Sequence, residues 1–358
     1  MSYKVAIKSK KVVFETADGE SILDGAMRDG IDFPHGCRNG QCGACKVKVT
    51  KGDWRYLDGY SPDILSRSEI DQDFVVSCKA APTQDLMIEL NNLSVKSYQR
   101  RLLLTTVESV EPLTPDVACL ALRLPKGEIF PYHPGQYVDF LLEDDQRRSF
   151  SLATRPTENS VLEFHIRRVN GGLFSERLFT NLEPGDQIRI EGPLGSFRFD
   201  EHSSRPVIFI AGGTGFAPIK SILENTLHQK KGNPACWLYR GVRNAESLYL
   251  DGLAREWSEQ YKYFHYEPVA SKPDKEWRGR RGPVHAAVVR DHPDLSGFDI
   301  YMAGPPAMID AARDVLSAYG LPDDRLFCDA FHSNVYPQQK TKGFLRTCFP
   351  FFSKAGAN

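Results

Sequence analysis

The alternation of apolar and polar residues changes rhythm twice along this chain, and each change predicts a different kind of sheet. Up to about residue 93, short alternating runs surround one helical run. Residues 5–7 and 11–14 predict a strand hairpin, Ser21 predicts the N-cap of a helix over 22–28, and 46–49 predicts a half-buried strand. Residues 74–78 and 86–90 read as further strands, and the polar stretch 91–101 reads as a linker. From 102 to 200 the rhythm becomes that of an antiparallel barrel or sandwich, with short strands at 103–110, 118–124, 136–141, 148–153, 162–168 and 187–191 between Pro and Gly turns. From 205 to 331, strands at 207–211, 235–240, 263–269, 298–302 and 326–329 alternate with helical stretches, which predicts a parallel sheet with helices on both faces. The expected division is 1–95, 102–202 and 205–332, followed by a tail, 333–358.

Composition fits this division. The 358 residues suffice for two to three domains, each with its own core. A net charge of -1 and a pI of about 6.8, with no basic run interleaved with aromatics in the folded region, give no reason to expect a nucleic-acid partner. Met1-Ser2-Tyr3-Lys4 runs directly into a strand pattern with no apolar signal core, which argues for a cytoplasmic protein. The best apolar run, 207–211, is far below the roughly 18 residues of a membrane span. Cys119, Cys236, Cys328 and Cys348 are scattered, as reduced thiols are.

The other four cysteines are not scattered. Cys37, Cys42 and Cys45 are spaced C-x4-C-x2-C, and Cys78 follows Cys45 after 32 intervening residues, the plant-type pattern for a [2Fe-2S] cluster. Gly36, Gly40 and Gly43 are placed to allow left-handed backbone and bring amides near the sulfurs, while Cys78 is expected to close the site from the end of a strand. A structural zinc site and buried unpaired thiols are the competing readings.

Two further segments carry chemistry. In the barrel region Arg148-Ser149-Phe150-Ser151 is a weak signal alone, but 165–168 leads into Gly171-Gly172 and a helical stretch over 174–179, whose exposed first amides suit a pyrophosphate. In the last region an apolar strand runs into Gly212-Gly213-Thr214-Gly215-Phe216-Ala217-Pro218 and a helix expected over 219–228, the order a dinucleotide pyrophosphate needs. The motif is G-x-G-x-x-P, and Pro218 suits a first helical turn. Arg243, just past the second strand, can accept the 2'-phosphate of NADPH or simply stand exposed, so the residues alone leave NADH and NADPH both open.

Taken together these motifs resemble the ferredoxin-NAD(P)H reductase-type flavoproteins that carry a fused N-terminal ferredoxin domain. That family includes NADH reductases of oxygenases and the reductase of CDP-6-deoxy-glucoseen formation. The resemblance covers 1 to about 332. It implies a multidomain fold: an α+β ferredoxin domain of the β-grasp type, an antiparallel β-barrel for FAD, and an α/β parallel-sheet domain for NAD(P)H. It implies that Arg148 neutralises the flavin phosphate, that Ser151 sits near the reactive N5, and that Phe150 stacks where the family has Tyr. It further implies that His165, Ile166 and Arg167 lie along the flavin and that Gly172, Leu173 and Ser175 present N–H or hydroxyl groups to the FAD pyrophosphate.

For the nucleotide it implies Gly213, Thr214, Gly215 and Pro218 around the pyrophosphate, and Gly304 and Pro305 against the nicotinamide, with Ala303 in place of the family cysteine. Phe331 corresponds to an aromatic that can shield the flavin ring, although a plain core phenylalanine is the competing reading. The implied activity is electron transfer from NADH through FAD to the cluster and on to an oxygenase component. A deoxysugar-type acceptor and a non-catalytic redox sensor are the alternatives. The tail, basic from Tyr336 onward with Phe344, Phe349, Phe351 and Phe352, reads as a plain extension or as a contact to a partner or an anionic membrane.

Overall fold

A computed structural model of the chain describes residues 2–8, 12–31, 33–40, 43–60, 64–65, 67–90, 98–143, 146–156, 160–201, 203–227 and 234–331. Cys42 and the whole tail lie outside the described residues, as do the expectations placed on them.

The first unit contains β1 (Ser2–Ile7), β2 (Val12–Ala17), α1 (Ile22–Arg28), β3 (Lys46–Lys51), β4 (Trp54–Tyr56), α2 (Arg67–Asp71), β5 (Phe74–Val76), β6 (Ala80–Pro82) and β7 (Leu86–Glu89). Its main sheet runs β2-β1-β7-β3-β5, with β1 and β7 parallel and the other pairs antiparallel. Ser21 caps α1, its hydroxyl accepting the Asp24 N–H at 3.0 Å, and the helix buries Ile22, Leu23 and Ala26 in one core with Val5, Val75 and Ile88. β5 ends at Val76, so Cys78 lies in the following turn rather than on a strand, because Lys79 N–H turns back to the Val76 carbonyl at 2.9 Å.

The second unit is antiparallel throughout: β8 (Arg101–Thr114), β9 (Val117–Arg123), β10 (Tyr137–Leu141), β11 (Arg147–Ser151), β12 (Val161–Arg167), α3 (Leu173–Thr180) and β13 (Gln187–Leu194). The order is β11-β10-β13-β8-β9-β12, and a bridge between Leu152 and Phe164 joins the two edges into a barrel. Phe140, Phe164 and Phe174 meet edge to face at its centre, with ring centroids 5.0 Å apart in both pairs.

The third unit holds β14 (Val207–Gly212), α4 (Phe216–Leu227), β15 (Cys236–Val242), α5 (Asp251–Gln260), β16 (Phe264–Ala270), β17 (Arg280–Arg281), α6 (Val284–Asp291), β18 (Asp299–Gly304), α7 (Pro306–Ala318) and β19 (Leu326–Ala330). All pairs are parallel in the order β17-β16-β15-β14-β18-β19. Every residue of β14 is buried, as a central parallel strand covered on both faces requires. The chain leaves β14 towards β15 and later returns on its other side as β18. The ends of β14 and β18 therefore flank a topological switch point, where open α/β sheets bind ligands.

α4 begins three residues before the expected start, directly after a 3-10 turn over Gly213–Gly215, so Pro218 stands in its first turn. Its buried Lys220 donates to the Ala153 carbonyl at 3.1 Å, which docks the helix on the barrel. Among the described residues no helix is long and apolar enough to cross a membrane.

Candidate active site

One cavity of about 1110 Å3 is lined by all three units, among them Cys37 and Asn39, Arg148 and Ser151, and Gly213 and Arg243. Each unit supplies loops or strand ends to it. The loop containing Cys37 reaches the cavity through left-handed backbone at Arg38 (φ 56°), Gly40 (φ 82°) and Gly43 (φ 70°). Gly36 does not adopt that conformation; Arg38 takes the turn expected of it. Cys45 and Cys78 are buried with their thiols in hydrogen-bonding contact, and that contact draws Cys45 below its ordinary value despite burial. A lowered thiol favours the thiolate form in which sulfur binds iron. Among the described residues no three His, Cys, Asp or Glu side chains converge on one metal position, Cys42 being outside them. The donor chemistry nevertheless fits iron: two thiols in contact, with Cys37 close enough to act electrostatically on Cys45.

On the barrel side, β11 places Arg148, Phe150 and Ser151 at the cavity. The Arg148 guanidinium donates to the Arg147 carbonyl at 2.8 Å and to Gln146 at 3.0 Å, and among the described residues no carboxylate pairs with it. A half-buried arginine without an anion suits a phosphate. Phe150 packs against Phe140 and Phe174 with centroids at 4.8 and 5.4 Å, leaving its ring in the cavity wall.

β12 contributes three residues with three different fates. His165 is buried, its Nδ1 3.2 Å from the Tyr249 hydroxyl, and burial together with Lys220 and Arg240 pushes it down to about 3, so the imidazole is neutral. Ile166 turns its side chain into the barrel core. Arg167 pairs with Asp116 and approaches the nucleotide loop, where a Cβ on Gly213 would sit 3.3 Å from its guanidinium.

Gly172, Leu173 and Ser175 at the start of α3 all line the cavity, with two of their polar groups engaged inside the turn. The Gly172 N–H is spent on the Val169 carbonyl at 2.8 Å, and the Ser175 hydroxyl is engaged with Val169 N–H at 3.1 Å. These two residues build the turn. A Cβ on Gly172 would lie 2.5 Å from Ser175 Oγ and 2.9 Å from the Val169 carbonyl, so only glycine fits. Leu173 heads a helix that no side chain caps, and because the first intrahelical bond runs from Glu176 N–H to the Gly172 carbonyl at 2.9 Å, the amides of Leu173, Phe174 and Ser175 have no intrahelical acceptor.

The nucleotide loop divides in the same way. Gly212, Gly213 and Thr214 line the cavity; Gly215 and Pro218 do not. A Cβ on Gly215 would sit 2.0 Å from the Ala303 carbonyl oxygen, so this glycine serves close packing of the loop on β18. Gly304 (φ 146°) packs on the Gly212 backbone, and Pro305 behind it reaches the cavity. Ala303 is wholly buried in the core. Arg243 is exposed and lines the cavity.

Asp329 is the residue that sequence reasoning passed over. Parallel pairing of β18 with β19 sets it beside Ala303, and its carboxylate comes 3.5 Å from Ser151 Oγ, a long contact across 178 positions. Burial pushes its carboxyl up to about 7, with the Ser151 contact working against the rise. Phe331 follows, its N–H donating to the Gly304 carbonyl at 2.9 Å, and it lines the cavity rather than the core.

Comparison with known proteins agrees with this three-part arrangement. Residues 5–83 match a 2Fe-2S iron-sulfur cluster binding domain, 104–199 an oxidoreductase FAD-binding domain, and 209–314 an oxidoreductase NAD-binding domain. The chain is 36% identical over 333 residues to a CDP-6-deoxy-L-threo-D-glycero-4-hexulose-3-dehydrase reductase of Yersinia pestis, covering 92% of this chain and 99% of the relative. It is 34% identical over 347 residues to the propane 2-monooxygenase reductase component of Mycolicibacterium smegmatis, covering 94% and 99%. A crystal structure of an Amycolatopsis cytochrome P450 reductase superposes with a TM-score of 0.77 at 30% identity, covering 92% of this chain and 98% of that one. With a [2Fe-2S] domain, an FAD-binding barrel and an NAD-binding domain in one chain, the protein belongs to the family of NAD(P)H-dependent iron–sulfur flavoprotein reductases.

Proposed function

We propose that this chain takes electrons from NADH and delivers them singly to an oxygenase component. The observation that carries the reading is that one cavity is lined at once by Cys37 of the first unit, Ser151 of the barrel, and Gly213, Arg243 and Phe331 of the third unit. The groups that such a site holds supply hydride transfer between nicotinamide and flavin and one-electron storage at the cluster.

The chain's own residues bind and orient. Cys37, Cys42, Cys45 and Cys78 hold the cluster; Arg148 and the first amides of α3 hold the FAD phosphates. Gly213 and Thr214 leave room for the nucleotide pyrophosphate beside the start of α4, and Pro305 and Phe331 close the nicotinamide end. Ser151 and Asp329 present a hydroxyl and a titratable carboxyl to the place where the reactants meet. The reaction belongs in the cytoplasm, a setting that suits the scattered thiols.

The test is an anaerobic titration with NADH followed by absorbance, then addition of an oxygenase component with its substrate. Flavin and cluster should both bleach, and NADH oxidation should become coupled to product. Bleaching of flavin alone contradicts the cluster assignment, and a higher catalytic efficiency with NADPH contradicts the cofactor choice. The 36% identity to the Yersinia pestis enzyme favours a second acceptor, a sugar-nucleotide dehydrase. Coupling to that protein and not to an oxygenase decides for the second reading.

A further inference from the structure

His35, Gly36 and Arg38 flank Cys37, yet their partners lie in the barrel, between 101 and 161 positions further along the chain. His35 Nδ1 is 2.7 Å from the Phe33 carbonyl oxygen, which can only accept, so Nδ1 carries the proton. Gly195 N–H donates to Nε2 at 3.0 Å, so Nε2 carries none. Both bonds are satisfied by one species, the neutral imidazole with Nδ1–H. Ser196 grips the peptide of the same histidine: its Oγ accepts from His35 N–H at 3.2 Å and donates to the His35 carbonyl at 3.0 Å, while its own N–H donates there at 3.1 Å.

Two more contacts extend the seam. The Tyr137 hydroxyl donates to the Gly36 carbonyl at 2.7 Å, and its ring stands edge-on to the imidazole. Arg38 pairs with the fully buried Asp139, whose other oxygen accepts the Ser149 hydroxyl at 2.7 Å. Ser149 stands between Arg148 and Phe150, so this chain of bonds ends on the strand that faces the cavity. Buried polar groups are costly to leave unpaired, so these contacts select one docking geometry over the many a tethered domain could sample.

We propose that His35 is a positioning residue which, with Ser196, Tyr137 and the Arg38–Asp139 pair, latches the cysteine loop onto the barrel and thereby sets the rate at which electrons cross between the two units. The proposal rests on the reading of Cys37 as a cluster ligand. NADH gives up two electrons and one proton per turnover; the electrons cross the seam one at a time and leave to the external acceptor, and the proton goes to solvent.

Full-length holoenzyme with His35→Asn, His35→Gln and Ser196→Ala tests this. Asparagine can replace Nδ1–H towards Phe33 but cannot reach Gly195, whereas glutamine can offer an acceptor where Nε2 stood. In anaerobic stopped-flow with NADH, all three should bleach the flavin at the wild-type rate. Bleaching of the cluster should slow roughly tenfold or more in His35→Asn and Ser196→Ala and recover in His35→Gln. Hydrogen exchange gives a readout independent of turnover: the Gly195 amide should lose protection in His35→Asn and keep it in His35→Gln. Wild-type protection and wild-type cluster reduction in His35→Asn overturn the latch. If that variant fails to retain the cluster, Ser196→Ala, which leaves the ferredoxin sequence intact, decides: unchanged exchange over 33–40 and unchanged cluster reduction overturn it. Absence of a cluster spectrum in the wild-type protein instead refutes the ligand assignment.

Discussion

Gly215→Ala gives a sharp test of how the nucleotide loop is built. The new methyl would lie 2.0 Å from the Ala303 carbonyl oxygen, 2.4 Å from its carbon and 2.8 Å from the Gly304 nitrogen, all backbone atoms that no rotamer change can move. Relieving the contact to about 3.4 Å needs a shift of roughly 1.4 Å between the loop and the end of β18, in a region packed at crystal-like density. Overpacking of this kind costs about 1–3 kcal/mol. The displacement also moves Gly213 and Thr214 relative to Pro305, across the place assigned to the nucleotide. Because a misplacement near 1 Å can cost about a hundredfold, flavin reduction by NADH should slow by one to two orders of magnitude. Dithionite, which needs no nucleotide site, should still reduce the flavin as in the wild type. Gly252→Ala is the control, since a Cβ there meets nothing within 4 Å. It should leave both rates unchanged and raise stability by up to about 0.5 kcal/mol. Unaltered thermal midpoint and NADH-driven rate in Gly215→Ala would refute the assignment of this glycine to close packing.

Gly172→Ala should break the turn that starts α3, since its Cβ falls 2.9 Å from the Val169 carbonyl; the flavin-to-protein ratio after gel filtration should drop, and full retention would count against α3 as the phosphate site. Asp329 yields a pH prediction: its folded value near 7 lies above the ordinary 3.8, so the native state holds the proton more tightly, and stability falls as pH rises from about 4 to 7 and then levels. At about 1.4 kcal/mol per unit this is at most ~4 kcal/mol, and Asp329→Asn, which cannot ionise, should gain on the wild type over that window in thermal midpoint. A difference that does not change with pH would mean the carboxyl is not buried.

Most strands and their order in sequence were legible because each core is built from local periodicity, whereas β4, β6 and β17, two or three residues long, are too short to show a period. β14 reads as an unbroken apolar run because both its faces are covered, and Ser21 announced α1 because its hydroxyl bonds three residues on. At the entry to β10, Gly135 (φ 98°) leaves room for the Phe197 carbonyl, and Gln136 ties His133 to Gly195. The site was legible only as far as motifs reach. Gly213 and Gly215 look alike in G-x-G-x-x-P, yet one lines the cavity and the other seats the loop on Ala303, a distinction that exists only once β14 and β18 are paired. Asp329 gave no signal because its raised carboxyl is a property of the place where β19 meets Ser151, not of the residues beside it.

The cysteine spacing, the strongest signal in the sequence, says least about direction. Spacing specifies which sulfurs meet, whereas the path of an electron depends on what the loop is pressed against. Here His35 and Arg38, the residues around the first cysteine, bond to Gly195, Ser196 and Asp139 of the barrel, while Cys45 and Cys78 are buried in the core of their own unit. The loop is thus asymmetric: the Cys37 side faces the shared cavity, and the Cys45–Cys78 side belongs to the ferredoxin core. Inward transfer is therefore served by a fixed contact within the chain, and an external acceptor must approach from outside that seam.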